Sequence, residues 1–431
     1  MLTAKTILDD FDRLGLIGSD SMQQTLQLRR QDSGALVDLV MGALDRALQS
    51  TTFIDTALDL MDDASFDKVA REAWRMGRDG RWSEVLADVL DAAALQSPAI
   101  FVGDWDRLLN LSHAQQGRRL YQRDAAWRAL DLATVSDWRR QLGHEQACDG
   151  TGRERAIALL HSRRSEAVHD AWTRLFPEET EQARAWLMSA GYALENGELR
   201  ALHTESPLHI DFGQNSLSLI RQEMPAWKRE IHENHPTWRA GGADRLHARV
   251  GGVLPHRCGL CHGPLHQLLA LQQPNAAGIA SRTPIAFGTC LSCLGWEGDG
   301  GPLFYRHDDE GRAYQHPSQQ CEAAVTPEFT AAALRDAEVE LFAAPTRWSC
   351  QDWGASNHRQ NLSRVGGGPS WVQSAWYPEC PDCGCRMRFV MQLDSGLPQA
   401  DGDEWLWGSG SANYTFWCET CRTSAHLWQC T

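Results

Sequence analysis

At 431 residues the chain is long enough for two or three domains, each with its own core. It carries 56 Asp and Glu against 41 Lys and Arg, and the net charge of −15 repels a phosphate backbone, which argues against direct nucleic-acid binding and suits a basic protein partner. No run of about 18 apolar residues occurs, so no membrane-spanning helix is expected. The first residues, Met1-Leu2-Thr3-Ala4-Lys5 running into Ile7-Leu8-Asp9-Asp10, lack the apolar stretch of a secretory signal. A reducing, cytoplasmic location follows as the expectation.

Residues 1–204 read as an all-α domain, a helical bundle or a HEAT-like stack. Thr3 can cap a helix with Ile7, Leu8, Phe11 and Leu14 on one face. Ser33 can cap another, with Leu36, Val37, Val40, Met41, Leu44 and Leu48 at helical spacing. A third begins near Ser65 and ends at Gly77 and Gly80; a fourth covers Trp82 to Leu95, and Pro98 breaks the pattern. Further helical faces lie around Trp127, from Ile157 to Ala167 and from Ala183 to Ala193. Charge pairs such as Arg118-Arg119 and Arg163-Arg164 are most simply solvated helix faces.

From about residue 205 the texture becomes β-rich. Pro207-Leu208-His209-Ile210-Asp211-Phe212 alternates as a strand, and His235-Pro236-Thr237-Trp238 punctuates a linker. The spacing divides this half into a first zinc-containing unit over 205–305, a connecting region over 306–359 and a second zinc-containing unit over 360–431. The connecting region is expected to hold one helix, Pro327 to Leu341, capped by Thr326. The expected class is therefore α+β, an all-α half followed by a tandem zinc-stabilised β region.

The metal expectation rests on four Cys-x-x-Cys pairs: Cys258/Cys261, Cys290/Cys293, Cys380/Cys383 and Cys418/Cys421. Two intervening residues let a tight turn aim both sulfurs at one ion, and a second such turn closes the tetrahedron. Eight thiolates make two complete sites, so two structural Zn2+ ions are expected. In a reducing compartment this spacing favours metal over disulfides, and no βαβ pattern surrounds the pairs to suggest a redox role. Cys148, Cys321, Cys350, Cys385 and Cys430 read as small buried hydrophobes, with Cys385 and Cys430 near enough to the second set for a ligand swap.

The pairs lie inside a longer repeat. Arg249-Val250-Gly251-Gly252 precedes the first set and Arg364-Val365-Gly366-Gly367 the second. After each leading pair comes an apolar run, Leu268-Leu269-Ala270-Leu271-Gln272 or Phe389-Val390-Met391-Gln392-Leu393, and then the trailing pair. Internal duplication accounts for this order. Each copy reads as strand, knuckle, strand, loop, strand, knuckle.

Gly366-Gly367-Gly368-Pro369-Ser370-Trp371, Cys380-Pro381-Asp382-Cys383-Gly384, Gln392-Leu393 and Phe416-Trp417-Cys418-Glu419-Thr420-Cys421 together resemble one ordered signature. It is that of the superfamily joining bacterial YwqG-like proteins to eukaryotic programmed-cell-death-2-like ribosome-assembly factors. The resemblance covers residues 360–431 and, more loosely, 245–305, where Gly252 is followed by Val253-Leu254-Pro255 and no Trp. It implies a β-rich fold without established catalytic residues. Its eukaryotic members resemble chaperones for a basic ribosomal protein, and its bacterial members include immunity proteins that neutralise toxins.

Four cysteines per ion leave no coordination position for a catalytic water, which argues against an enzyme. His256, His262 and His266 flank the first knuckle and could replace a cysteine, although rings that fill the turn or bond a carbonyl are the plainer reading. Cys350 and His358 could be read as nucleophile and base, and Gly408-Ser409-Gly410-Ser411 as a phosphate loop; neither has the surrounding pattern such chemistry needs. The expectation is a non-enzymatic binder, first an immunity protein for a toxin or effector. The alternatives are a chaperone for a basic ribosomal or nucleic-acid-binding protein and a zinc-ribbon nucleic-acid binder. Trp371 and Trp376 follow the Gly-Gly turn and are the candidate partner anchors.

Overall fold

The structure, a computed structural model, describes residues 2–14, 19–111, 120–142, 150–175, 181–213, 225–239, 245–281, 283–294, 301–327, 329–355 and 359–431. The chain forms two compact units. The first comprises Met1–Ala190, Pro225–His235 and Thr346–Cys350, and the second Gly191–Met224, Pro236–Pro345 and Gln351–Thr431. The α+β class holds, with helices in the N-terminal half and a large antiparallel sheet in the C-terminal half.

In the first unit the helices come in pairs. Ala4–Leu14 is followed by Ser19–Gln31, Ala35–Asp45 by Thr52–Leu60, and Asp63–Arg78 by Glu84–Gln96. Leu132–Leu142 with Gly150–His161 and Ser165–Leu175 with Glu181–Ser189 continue the series. Leading helices pack on leading helices: Ala4–Leu14 on Ala35–Asp45, and the latter on Asp63–Arg78. Trailing helices pack on trailing ones in the same way, Ser19–Gln31 on Thr52–Leu60 and the latter on Glu84–Gln96. This is the stacked arrangement of a helical solenoid.

Polar side chains tie one pair to the next at a recurring sequence separation. Arg123 donates to Glu154, 31 residues on, at 2.8 Å, and Arg139 to Asp170, also 31 on, at 2.7 Å. Trp74 Nε1 donates to Asp104, 30 residues away, at 3.2 Å. Arg164 donates to the Leu130 carbonyl, 34 residues back, at 2.8 Å.

The helix ends follow local chemistry. Thr3 Oγ1 accepts from the Thr6 N–H at 3.1 Å, as expected. Asp62 caps the third leading helix, which starts at Asp63, by accepting the Ser65 N–H at 2.8 Å, and Ser83 caps the next by accepting from Leu86. Such caps contribute about 1 kcal/mol each. Ser33 makes no side-chain cap; Asp32 accepts the Gly34 N–H instead. The face read from Ile157 to Ala167 is two helices, because Arg163 takes a left-handed φ of 59° between them. Arg118-Arg119 and Cys148 lie outside the described residues.

The second unit opens with a hairpin, β1 (Tyr192–Glu195) and β2 (Glu198–Ala201), followed by β3 (Leu208–Asp211). The first cysteine-bearing copy supplies β4 (Leu246–Val250), β5 (Val253–Arg257), β6 (Pro264–Leu271) and β7 (Ile285–Thr289). Then come β8 (Leu303–His307), β9 (Ala313–Gln315) and β10 (Ala337–Ala343). The second copy supplies β11 (Arg364–Val365), β12 (Arg388–Asp394), β13 (Leu397–Pro398), β14 (Glu404–Trp405), β15 (Ala412–Cys418) and β16 (Thr423–Gln429).

Among the described residues one sheet runs β5-β6-β4-β10-β3-β11-β12-β15-β16-β8-β9, with β7 also on β6; β13 and β14 pair with each other. Its ends meet, since Ala286 of β7 bridges Arg312 just ahead of β9. The duplication is visible as β4-β6-β7 matching β11-β12-β15, joined through β10 and β3. Both copies carry a bulge at the same place: between Gln267 and Leu269 in β6, and between Phe389 and Met391 in β12. The bulged residues, Leu268 and Val390, each lie seven positions past the second cysteine of their leading pair (268 − 261 and 390 − 383). The two Gly-Gly turns also match, with φ of 83° at Gly251 and Gly252 and 70° at Gly366 and Gly367. A β-carbon on Gly251 would lie 2.0 Å from the Arg335 carbonyl oxygen, so the turn admits only glycine there.

Three expectations need correction. The helical unit does not end at 204: it stops at Ala190, and takes in Pro225–His235 and Thr346–Cys350 from further along the chain. The regions 205–305, 306–359 and 360–431 are not separate domains. One buried cluster runs from Ile210 and Ala248 through Leu268 and Phe287 to Met391 and Trp417, and residue 306 falls inside β8. Finally, Pro327 to Leu341 is not a helix. Its end is β10, where Val339 and Leu341 point inward while Glu338 and Glu340 are less buried, a period of two. Upstream, the N–H groups of Ala331 and Arg335 are taken by Ser292 Oγ and the Pro398 carbonyl, so tertiary acceptors replace helical ones.

Candidate metal centres

The eight expected cysteines form two clusters, Cys258/Cys261/Cys290/Cys293 and Cys380/Cys383/Cys418/Cys421, each with all four sulfurs within 4.8 Å of one another. Each cluster is built within one copy. All cysteines among the described residues are free thiols, so none is used in a disulfide.

The sulfur spacing suits one ion per cluster. Cys258 and Cys293 are 3.7 Å apart, Cys261 and Cys290 3.6 Å, and Cys383 and Cys418 3.7 Å. A tetrahedral ion with metal–sulfur bonds of about 2.3 Å needs sulfurs about 3.8 Å apart. A disulfide needs about 2.05 Å. The donor set therefore fits a tetrahedral metal ion in each copy.

The leading knuckles share one backbone geometry. The Cys258 N–H donates to the Gly263 carbonyl at 2.9 Å and the His262 N–H to the Cys258 carbonyl at 3.0 Å. In the second copy the Cys380 N–H donates to the Cys385 carbonyl and the Gly384 N–H to the Cys380 carbonyl, both at 2.8 Å. The residue after each second cysteine is left-handed, φ 58° at His262 and 73° at Gly384. Backbone N–H groups of Leu260 and Gly263 also point at Cys258 and Cys261 sulfurs, at 3.4 Å each. These donors favour thiolate over thiol. The trailing knuckles differ: Cys290 opens a short helical turn, whereas Cys418 and Cys421 sit at the β15–β16 hairpin end.

Crowding four sulfurs splits their acidities. Hydrogen bonds from Cys290 and Cys293 pull Cys258 down to about 2, and the same bonds push Cys290 and Cys293 up. Burial alone would raise Cys383, but the Cys385 backbone N–H and the thiols of Cys421, Cys418 and Cys380 outweigh it and hold it at about 7. Without a cation only part of each cluster can ionise; a divalent ion removes that conflict.

The β8–β9 hairpin connects the two centres. Tyr305 OH accepts the Cys290 N–H at 3.0 Å, and the Cys258 sulfur lies 3.6 Å from Gln315 Oε1. On the other side Asp382, inside the second leading knuckle, accepts from Arg306, from His316 Nε2 at 3.2 Å and from Thr423 Oγ1 at 3.0 Å. Arg306 foremost, against the cost of burial, holds the Asp382 carboxyl down at about 2. Sequence reading missed Tyr305, Arg306, Gln315 and His316. Only Asp382 carried a signal, by lying between two ligands.

The flanking histidines have other partners. His262 donates to the Cys321 carbonyl at 3.2 Å, and His256 pairs with Asp308 at 3.0 Å. His266 Nδ1 accepts the Leu291 N–H at 3.1 Å, supporting the turn that carries Cys290. Cys385 and Cys430 stay outside the cluster. His358 lies outside the described residues. The 408–411 segment is a turn entering β15, in which the Gly410 and Ser411 N–H groups both donate to the Trp407 carbonyl. Trp371 packs among Tyr377, Tyr414 and Phe416, with ring centroids 4.7–6.2 Å away, while Trp376 is 38% exposed.

No helix among the described residues is long and apolar enough to cross a membrane. No protein-family model and no solved structure matches the chain. Over 68 residues, 16% of its length, the chain is 39% identical to the uncharacterized protein YpfL of Salmonella typhimurium, and that stretch spans 15% of the YpfL chain.

Proposed function

We propose that both four-cysteine centres hold structural zinc and that the chain acts by binding a basic protein rather than by turning over a substrate. One observation carries this reading: each centre draws all four donors from cysteine, with its four sulfurs within 4.8 Å of one another. A tetrahedral all-thiolate set suits zinc, and in this closed form it leaves no place for an activated water. The zinc ions then act by fixing the knuckles and, through Tyr305, Gln315 and Asp382, the hairpin between them.

The net charge of −15 favours rapid capture of a positively charged partner. Together with the YwqG-like resemblance of residues 360–431, it favours an immunity protein that neutralises a toxin or effector in the cytoplasm. Metal analysis of the purified chain is expected to return two zinc equivalents. Affinity capture from the native host at low salt is expected to recover a basic protein, with association slowing as the Debye length contracts to about 8 Å near physiological salt. A ribosomal client in that capture would convert the reading to an assembly factor. Turnover of a substrate, or preference for nucleic acid over every protein, would overturn it.

A further inference from the structure

We infer that the aromatic cleft beside β14 receives an arginine side chain of the basic partner. The inference rests on the binding reading above and assigns it a place. The cleft encloses about 340 Å³ and is walled by Phe329, Trp405, Trp407, Trp428 and Leu294, with Glu404 and Leu406 at its exposed edge. That volume falls at the small end of ligand sites, enough for one long side chain. Trp428 Nε1 donates to the Leu294 carbonyl at 2.8 Å, and Gly408 lets the backbone press close, since a β-carbon there would lie 2.5 Å from the Trp428 ring.

Three features select the occupant. Trp405 and Trp407 stand nearly perpendicular, 81° apart with centroids at 5.5 Å, and Phe329 lies 6.0 Å from Trp405. Angled aromatic faces of this kind favour a cation. Among the described residues the single charged residue in the lining is Glu404 and no Lys or Arg lines the cleft, and exposed Asp401 and Asp403 closely precede Glu404 in the chain. Among the described residues none of these three carboxylates has an ion-pair partner. The buried indole N–H groups of Trp405 and Trp407 also lack an acceptor among the described residues, although buried donors are almost always paired. A peptide arginine brings a planar cation for the rings together with carbonyl acceptors, whereas a simple ammonium ion brings only the charge.

The test titrates the isotopically labelled full chain with the peptide acetyl-Gly-Ser-Arg-Ser-Gly-amide and with its citrulline counterpart, which keeps every carbonyl and loses the charge. The arginine peptide is expected to move the Trp405 and Trp407 indole signals, and citrulline to weaken binding at least about tenfold. Glu404→Gln, at an exposed position, is expected to weaken arginine binding severalfold with unchanged melting temperature. Equal affinity for the two peptides, unmoved indole signals, or an indifferent Glu404→Gln variant would each overturn the cleft assignment. Capture of the native partner by a folded Glu404→Arg chain, undiminished, also removes the cleft while leaving the binding reading intact.

Discussion

Replacing Arg347 by methionine should cost the helical unit about 3–5 kcal/mol. Arg347 is 7% exposed and belongs to the Thr346–Cys350 segment. Its guanidinium donates to the Leu58 and Met61 carbonyls at 2.7 Å each, at the end of helix Thr52–Leu60, and to Gln96 Oε1 at 2.8 Å. It also lies 4.2 Å from the Phe66 ring centroid and 4.6 Å from that of Trp348. Leu58 O keeps a second donor, the Met61 N–H at 3.4 Å, so the substitution strands mainly Met61 O and Gln96 Oε1. Each stranded acceptor costs roughly 1–3 kcal/mol, and the ring contacts add about 0.5–2 kcal/mol. Relief of the guanidinium's own desolvation offsets part of this, leaving a net loss of about 3–5 kcal/mol. Methionine retains the apolar stem, so packing is largely kept. Arg347→Lys preserves charge but not the planar fork, and should lose less. Urea denaturation followed by helical circular dichroism measures the difference. A loss below about 1 kcal/mol for the methionine variant, or identical losses for Met and Lys, refutes this account.

Cys383→Ser should lower bound metal by one equivalent and loosen β12, β15 and β16, while the helical transition stays in place; retention of two equivalents would disprove the ligand assignment. Gly251→Ala should cost more than about 2 kcal/mol, because its φ is 83° and its β-carbon would meet the Arg335 carbonyl at 2.0 Å, whereas Gly80→Ala, with the same φ and open space around it, should cost about 1 kcal/mol. Burial holds His307 down at about 4 and His426 at about 3. About one pH unit above 6.5 these rings are neutral folded or unfolded and pH has no leverage through them. Between pH 6.5 and 4 the unfolded chain takes up protons that the folded one refuses, so stability falls by about 1.4 kcal/mol per pH unit per ring. The pair His307→Gln and His426→Asn should flatten that slope in urea melts; parallel curves for the parent and the variant would rule out burial as its cause.

The two four-cysteine clusters were legible in the sequence because their geometry is local. A Cys-x-x-Cys turn is shaped by its own few residues, and the Gly-Gly turn needs a conformation that only glycine adopts cheaply. Helix starts such as Thr3 were readable for the same reason. The Pro327–Leu341 reading failed where distant acceptors decided the backbone: Ser292 and Pro398 claim N–H groups that a local view assigns to a helix. Ser19–Gln31 and Thr52–Leu60 went unread; the first is too polar to show a clear apolar stripe, and Thr52–Leu60 buries nearly its whole circumference, which erases the contrast between faces. The hairpin linking the two centres was hidden because Tyr305, Gln315 and His316 reach the knuckles only through strand pairing and the turn after β9.

The division of the helical unit into three chain segments sets a schedule for synthesis. Its helix pairs are complete at Ala190, but the pieces Pro225–His235 and Thr346–Cys350 belong to residues translated later. From residue 190 to residue 350 there are 160 further residues, which at about 5–20 residues per second take roughly 8–32 s. Throughout that interval the nascent stack lacks Arg347, and the Leu58 and Met61 carbonyls await their donor. A ribosome that stalls or terminates before residue 350 releases a helical unit with its clamp missing, a ready substrate for quality-control proteases.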